Sequence, residues 1–211
     1  MDWNKISAEL NKRLDPANIR PAKQFGPKGD YIEGWHAIAE ANRIFGHDGW
    51  SYSLKDVKCV SERPREIGKN KTPGYAVSYI ASIYVDVMGG VRREDVGAGH
   101  GYDVDCGLAH ESAIKEAVTD ALKRALRTFG NPFGLALYDK TREGVGVDAS
   151  EAEVETAISA INASADLDAL RRNWSSLYAN ARHVADDARV IAAKESRKGE
   201  LTMKETHQGA G

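Results

Sequence analysis

The chain has 211 residues, 42% hydrophobic and 28% charged, the composition of a folded globular protein with one core of ordinary size and room for a small appendage. Its net charge is −2, residues 1–140 carrying 20 Lys and Arg against 19 Asp and Glu and residues 141–211 nine against twelve, so a uniformly basic nucleic-acid binder is excluded and any anion site must be a local patch. No apolar run approaches the roughly 18–20 residues that cross a bilayer, and the charged start "MDWNKISAELNKRLDP" reads as a short helix rather than a signal peptide, which fits a cytoplasmic protein without membrane contact.

In chain order, "YIEGWHAIAEANRIFG" (31–46) predicts an amphipathic helix with Trp35, Ile38, Ala41, Asn42 and Phe45 near one face and Gly46 as its stop. "WSYSLKDVKCV" alternates and then shifts register, as a bulged strand does. "ERPREIGKNKTPG" (62–74), rich in Pro, Gly and charge, predicts a loop or hairpin tip. The period-two pattern of Tyr75, Val77, Tyr79, Ala81, Ile83, Val85 and Val87 is the clearest strand. Met88-Gly89-Gly90 turns the chain into a return strand over 91–96, and "GAGHGYDVDCG" (97–107) reads as a glycine-broken loop.

A long helix follows, with Ile114, Ala117, Val118, Ala121, Leu122, Ala125, Leu126 and Phe129 as its apolar stripe. Lys123, Arg124 and Arg127 fall within an arc of roughly 100° nearly opposite that stripe. Acidic "TREGVGVDASEAEVE" (141–155) predicts a linker, residues 156–198 a helical hairpin, and residues 199–211 a flexible tail.

Catalytic motifs are scarce. "GAGHG" is one residue short of a dinucleotide fingerprint, and His110-Glu111 lacks the second histidine of a zinc helix. Cys59 and Cys106, 47 positions apart without a CxxC, indicate neither a disulfide framework nor a zinc site and read as small buried hydrophobes. Glu94, Asp95, Asp103 and Asp105 leave open a metal-dependent nuclease or nucleotide-binding enzyme using residues 94–105. Strand-end solvation is the simpler account of those acids.

Cations are supplied by the long helix, by Arg92 and Arg93, and by six Lys/Arg among residues 55–71, beginning with Lys55 and Lys58. They permit a phosphate-tracking groove, while cations at a helix C-terminus equally complement its macrodipole and stay solvated.

Three strings in order, "YIEGWHAIAEANRIFGHDGWS", "REDVGAGHG" and "KEAVTDALKRALRTFGNPFGLALYDK", resemble the DNA-binding domain of the Rad-fifty-two family of single-strand annealing proteins, over roughly residues 20–140. The resemblance implies an α+β fold: a helix, a curved antiparallel sheet of three or four strands and the long amphipathic helix, assembled into a homo-oligomeric ring over residues 1–140. It implies binding of single-stranded DNA and annealing of complementary strands in recombination and repair, with no catalytic residue, metal, cofactor or nucleotide hydrolysis. It gives Lys123, Arg124 and Arg127 the role of phosphate clamps.

Trp35-His36 stands where the family pattern has an arginine after the "EG" of the first helix and His47 where it has an aromatic after "FG", which makes both histidines candidate DNA contacts. At the lysines of the family's outer DNA site this chain has Met88 and no lysine within 94–107, leaving Arg92 and Arg93 as the substitutes. A short chain with a small helical appendage is similar to the phage or prophage kind. That likeness implies a bacterial host and, for the C-terminal region, a host single-strand-binding protein as partner.

Overall fold

A computed structural model describes residues 2–22 and 29–208, with side chains through residue 204. The fold is α+β and divides into two compact units, residues 1–145 and 146–211. In the first, helix α1 (Trp3–Asn11) is capped by Asp2, and β1 (Ile19–Arg20) pairs antiparallel with β2 (Tyr31–Ile32). Helix α2 (Gly34–Phe45) then leads into the strands β3 (Trp50–Ile67), β4 (Thr72–Val87) and β5 (Val91–Asp103), an open antiparallel sheet in the order β3-β4-β5. Helix α3 (Cys106–Arg127) crosses one face of that sheet, and two 3₁₀ turns, Asn131–Phe133 and Leu135–Tyr138, follow it.

The sheet is larger than its sequence suggests. Residues 62–67, expected in a loop, continue β3 and pair with 72–77. Pro64 and the surrounding charges are tolerated because β3 is an edge strand, where a missing donor faces no partner and charge discourages further pairing. Bulges between Leu54 and Asp56 and between Cys59 and Ser61 shift the register of β3 on β4 and bend the strand.

The larger departure is at "GAGHGYD", which is strand rather than loop. Gly97, Gly99 and Gly101 lie opposite Ala81, Tyr79 and Val77 on the face that α3 covers. A β-carbon at Gly97 would come within 2.1 Å of the Ala121 nitrogen, at Gly99 within 2.1 Å of the Ala113 carbonyl oxygen, and at Gly101 within 1.8 Å of the Ala109 carbonyl oxygen. The helix answers with Ala109, Ala113, Ala117 and Ala121, all fully buried and four residues apart. Glycine every second residue on a strand and alanine every fourth on a helix match the two periods, and backbone meets backbone along a seam.

The buried face of α2 is rotated about one residue from the expected stripe. His36, Ala37, Ala41, Ile44 and Phe45 are buried, while Trp35 and Ile38 are exposed. Phe45 contacts Phe129 and Phe133 at ring-centroid distances of 5.2 and 6.0 Å, which anchors the end of α3 in the core.

The first unit extends into the expected linker, for Leu14 N donates to Gly144 O at 2.8 Å and Leu14 bridges Val145. The second unit has four described helices where a hairpin was expected: α4 (Glu151–Asn162), α5 (Leu167–Asn180), α6 (Arg182–Ala185) and α7 (Ala188–Gln208). Ser150 and Glu153 form a capping box that starts α4 inside the acidic segment. Val154, Ile161, Leu170, Val184, Val190 and Leu201 make this unit's own core. The helix α7 runs into the expected tail, whose last residues, 209–211, lie outside the described residues.

Candidate nucleic-acid interface

The seam fixes α3 against β5, and the phenylalanine cluster fixes its end, so the side chains of its last two turns emerge from a rigid base. Lys123, Arg124 and Arg127 are half-buried rather than freely solvated, and together they line a concavity of about 460 Å³. Its other walls come from Asp30 and Tyr31 before α2 and from Tyr138 and Arg142 after α3. Three distant parts of the first unit therefore meet at the C-terminal end of one helix.

The cations differ in what holds them. Arg124 Nε donates to Asp95 Oδ1 at 3.0 Å, which pushes its pKa up and partly neutralises its charge. Arg142 Nη1 donates to Asp30 Oδ2 at 2.8 Å and holds that carboxyl below its ordinary pKa. Arg127 instead lies 4.2 Å over the ring of Tyr138, and Lys123 5.7 Å from the centre of the Tyr31 ring. An aromatic face orients a cation without cancelling its charge, so these two keep most of theirs for a ligand anion. Tyr138 is 70% exposed and offers its other face to a planar group.

The remaining expected contacts separate by strand alternation. Arg93 lies opposite buried Val85 and turns toward α3, its guanidinium 5.4 Å from the centre of the Phe129 ring. Arg92 turns to the outer face, bonded to Asp86 at 2.7 and 3.1 Å and stacked 4.1 Å over Tyr84. The two arginines thus do not form a pair.

Lys58 lies opposite outward-facing Ile80, and Lys55 is ion-paired with Glu94 at 3.2 Å, so both belong with Arg92. His47 is exposed in the turn after α2. His36 is 7% exposed and edge-on to Trp35, with Nε2 sealed from solvent and unbonded among the described residues. That nitrogen is not offered to a phosphate, because the ring sits on the packed face of α2.

The acids and glycines of residues 94–105 have structural partners. Glu94 pairs with Lys55 and Asp95 with Arg124, while Asp103 and Asp105 accept from the amides of Asp105 and Leu108, both at 2.9 Å. The glycines belong to the seam. Asp30, Tyr31, Tyr138 and Arg142 are the parts of the concavity that sequence reasoning missed, as is the hold of Asp95 on Arg124. Tyr31 and Tyr138 had a signal, since Tyr31 opens the first family-like string and Tyr138 lies within the "GLALYDK" of the third.

The described residues contain no helix long and apolar enough to cross a membrane. The sequence profile of the Rad52/22 family, described as double-strand break repair proteins, matches residues 2–156. Over 137 residues the chain is 42% identical to the DNA repair and recombination protein RAD52 of Saccharomyces cerevisiae, covering 64% of this chain and 28% of that protein. The RAD52 protein of Kluyveromyces lactis gives 42% over 137 residues, with 64% and 30% covered. The DNA repair and recombination protein rad22 of Schizosaccharomyces pombe gives 35% over 146 residues, with 66% and 29% covered. The matched region thus spans less than a third of these relatives. All three are fungal, and the expected phage origin and bacterial host draw no support from them.

Proposed function

Because the chain belongs to the Rad52/22 family of double-strand break repair proteins, we propose that it binds single-stranded DNA without nucleotide or metal and anneals complementary strands during recombinational repair. The observation that carries this reading is the convergence of Lys123, Arg124, Arg127 and Arg142 with Tyr31 and Tyr138 in one concavity. Lys123 and Arg127 take the phosphates directly, Arg124 exchanges Asp95 for a phosphate, and Tyr138 stacks on a base or sugar.

Contacts of this kind position a strand without reading its sequence, so base edges stay free to pair. Pairing then supplies the net free energy, about 1.4 kcal/mol per stacked step. Arg93 extends the cationic track along α3. Arg92, Lys55 and Lys58, on the opposite face, supply an outer contact only where a second strand reaches that face.

Assembly of several copies is part of the same proposal. The outer face of the sheet exposes Ile80, Val96 and Tyr102, apolar surface suited to a neighbouring subunit. The apolar groove of the second unit, about 560 Å³ and lined by Ala157, Ile161, Leu177 and Val184, is the place we assign to a protein partner such as a single-strand-binding protein.

Fluorescence anisotropy of a labelled single strand across a salt series, without nucleotide or metal, tests the groove. Each phosphate contact on a single strand adds about −0.7 to the slope of log K against log salt, so the Lys123/Arg124/Arg127 triple alanine variant loses about 2 from the slope. A Lys55/Arg92 double alanine variant, whose cations are already paired outside the groove, keeps most of it. Wild-type slopes in the triple variant would remove the assignment. An annealing assay with complementary oligonucleotides then separates annealing from binding alone.

A further inference from the structure

The second bulge of β3 decides which of its side chains face α3. Cys59 lies opposite Tyr79 and Glu62 opposite Val77, and both β4 residues belong to the cluster packed on Ala109 and Ala113. In a regular strand, residues three apart point to opposite faces. With Val60 left unpaired by the bulge, Cys59 and Glu62 share one.

Onto that face the first turns of α3 bring His110. Its Nε2 is 3.3 Å from Glu62 Oε2, and its Nδ1 is 2.9 Å from the Tyr79 hydroxyl. A thiol, a carboxylate oxygen and an imidazole nitrogen thus lie within 4.8 Å of one another, from residues as much as 51 positions apart in the chain. Among the described residues this is the group whose donors are so gathered.

From this juxtaposition we propose a binding site for a divalent cation of the zinc type, held by Cys59 Sγ, Glu62 and His110 Nε2. Thiolate and imidazole donors favour zinc and cobalt over magnesium and calcium. Bonds of about 2.0–2.3 Å in a tetrahedron give edges of about 3.3–3.6 Å. The Glu62 to His110 separation already has that length, and Cys59 needs to close by no more than about 1.2 Å.

Tyr79 completes the arrangement. The Tyr79 hydroxyl lies 2.9 Å from Nδ1; with the metal on Nε2 the ring proton sits on Nδ1 and is donated to that hydroxyl, which fixes the ring as outer-shell partners of metal-binding histidines do. Cys59 and Glu62 are exposed, so water fills the fourth position. The bound ion joins the distal half of an edge strand to the start of α3. It lies about 20 Å or more along that helix from the cation-lined concavity, and the inference does not depend on the DNA-binding reading.

The test uses the full chain, stripped with chelator and titrated with Co²⁺ alone, then with Zn²⁺ in competition. The expected result is one cobalt per chain, with tetrahedral visible bands and a thiolate-to-cobalt charge-transfer band that zinc abolishes. Cys59→Ser removes the charge-transfer band and Cys106→Ser keeps it. His110→Ala and Glu62→Gln weaken binding at least tenfold, and Tyr79→Phe weakens it by about 10–100-fold.

Absence of stoichiometric uptake, or a charge-transfer band that survives Cys59→Ser, overturns the site. Should a variant fail to fold, wild-type protein decides: zinc slows alkylation of Cys59 and leaves Cys106 unchanged if the assignment holds, and equal rates with and without zinc refute it.

Discussion

The two compact units pack their helices by opposite means. In the first, side chains are removed: Gly97, Gly99 and Gly101 let the backbone of α3 rest against β5 with only alanine methyls between. In the second, branched side chains fill the space, Val154, Ile161, Leu170 and Val190 among them, and polar staples hold the joints. Arg197 donates twice to the Ser164 carbonyl oxygen, at 3.2 and 2.8 Å. A seam without side chains has little room to slide or rotate, and it carries the helix whose far end presents Lys123, Arg124 and Arg127. A core of interlocked Val, Ile and Leu tolerates repacking, whereas the described residues that line the concavity belong to the first unit.

The largest effect expected of this contrast is at Gly101→Val. Its β-carbon would overlap the Ala109 carbonyl, so α3 must lift from the sheet, at a cost on the order of 3 kcal/mol or more. Thermal unfolding followed by calorimetry should show the first unit's transition lost or strongly lowered, together with DNA binding, while that of the second unit persists. Concerted loss of both would mean that the units are one cooperative block.

The converse experiment is Ile161→Ala, which opens a cavity in the second core and costs about 2–5 kcal/mol. Only the second transition should move in calorimetry. Single-strand affinity by anisotropy should stay within twofold, since Ile161 belongs to the second unit's own core and the concavity's described lining to the first unit.

Smaller and of opposite sign is Asp95→Asn. Removing the carboxylate that holds Arg124 frees that guanidinium for phosphate, so single-strand binding should tighten a few-fold at low salt and the salt slope steepen by up to about 0.7. Weaker binding would show instead that Asp95 aims Arg124 at the strand.

The smallest effect belongs to the cap of α4. Ser150, through its hydroxyl and its amide, and then His183 pull the Glu153 carboxyl down to about 2. A depressed carboxyl contributes stability that is complete above its ordinary pKa of 4.5 and is lost as the pH falls from there toward 2. Helicity of the second unit, followed by circular dichroism between pH 6 and pH 2, should fall less steeply in Glu153→Gln than in wild type.

Much of this was legible in the chain itself. The period-two run of β4 and the apolar stripe of α3 each declare an element, because every second or every third and fourth side chain must be apolar to be buried. The cationic arc of Lys123, Arg124 and Arg127 follows from the same helical geometry. The strings shared with the Rad52/22 family extended the reading to a DNA-binding fold. "GAGHGYD" was misread for a physical reason: a glycine face has no side chains from which a period can be seen. Only the alanines of α3, met in space, show that those glycines form a strand.

The length of β3 escaped in the same way, since Pro64 and its charged neighbours are breakers everywhere except at an edge, and edges are assigned by pairing. The sequence by itself determined α2, the start of β3, β4, the start of β5 and α3, their order and the supply of charge, all of which are set by local periodicity and composition. The tertiary structure alone decided which charges act together, placing Arg93 toward α3 and Arg92 on the far face and seating Arg124 on Asp95. It alone turned Cys59 and Glu62 to the same side and brought His110 to them, because a single bulge reverses the face of every residue beyond it, and pairing across the sheet decides where the bulge falls.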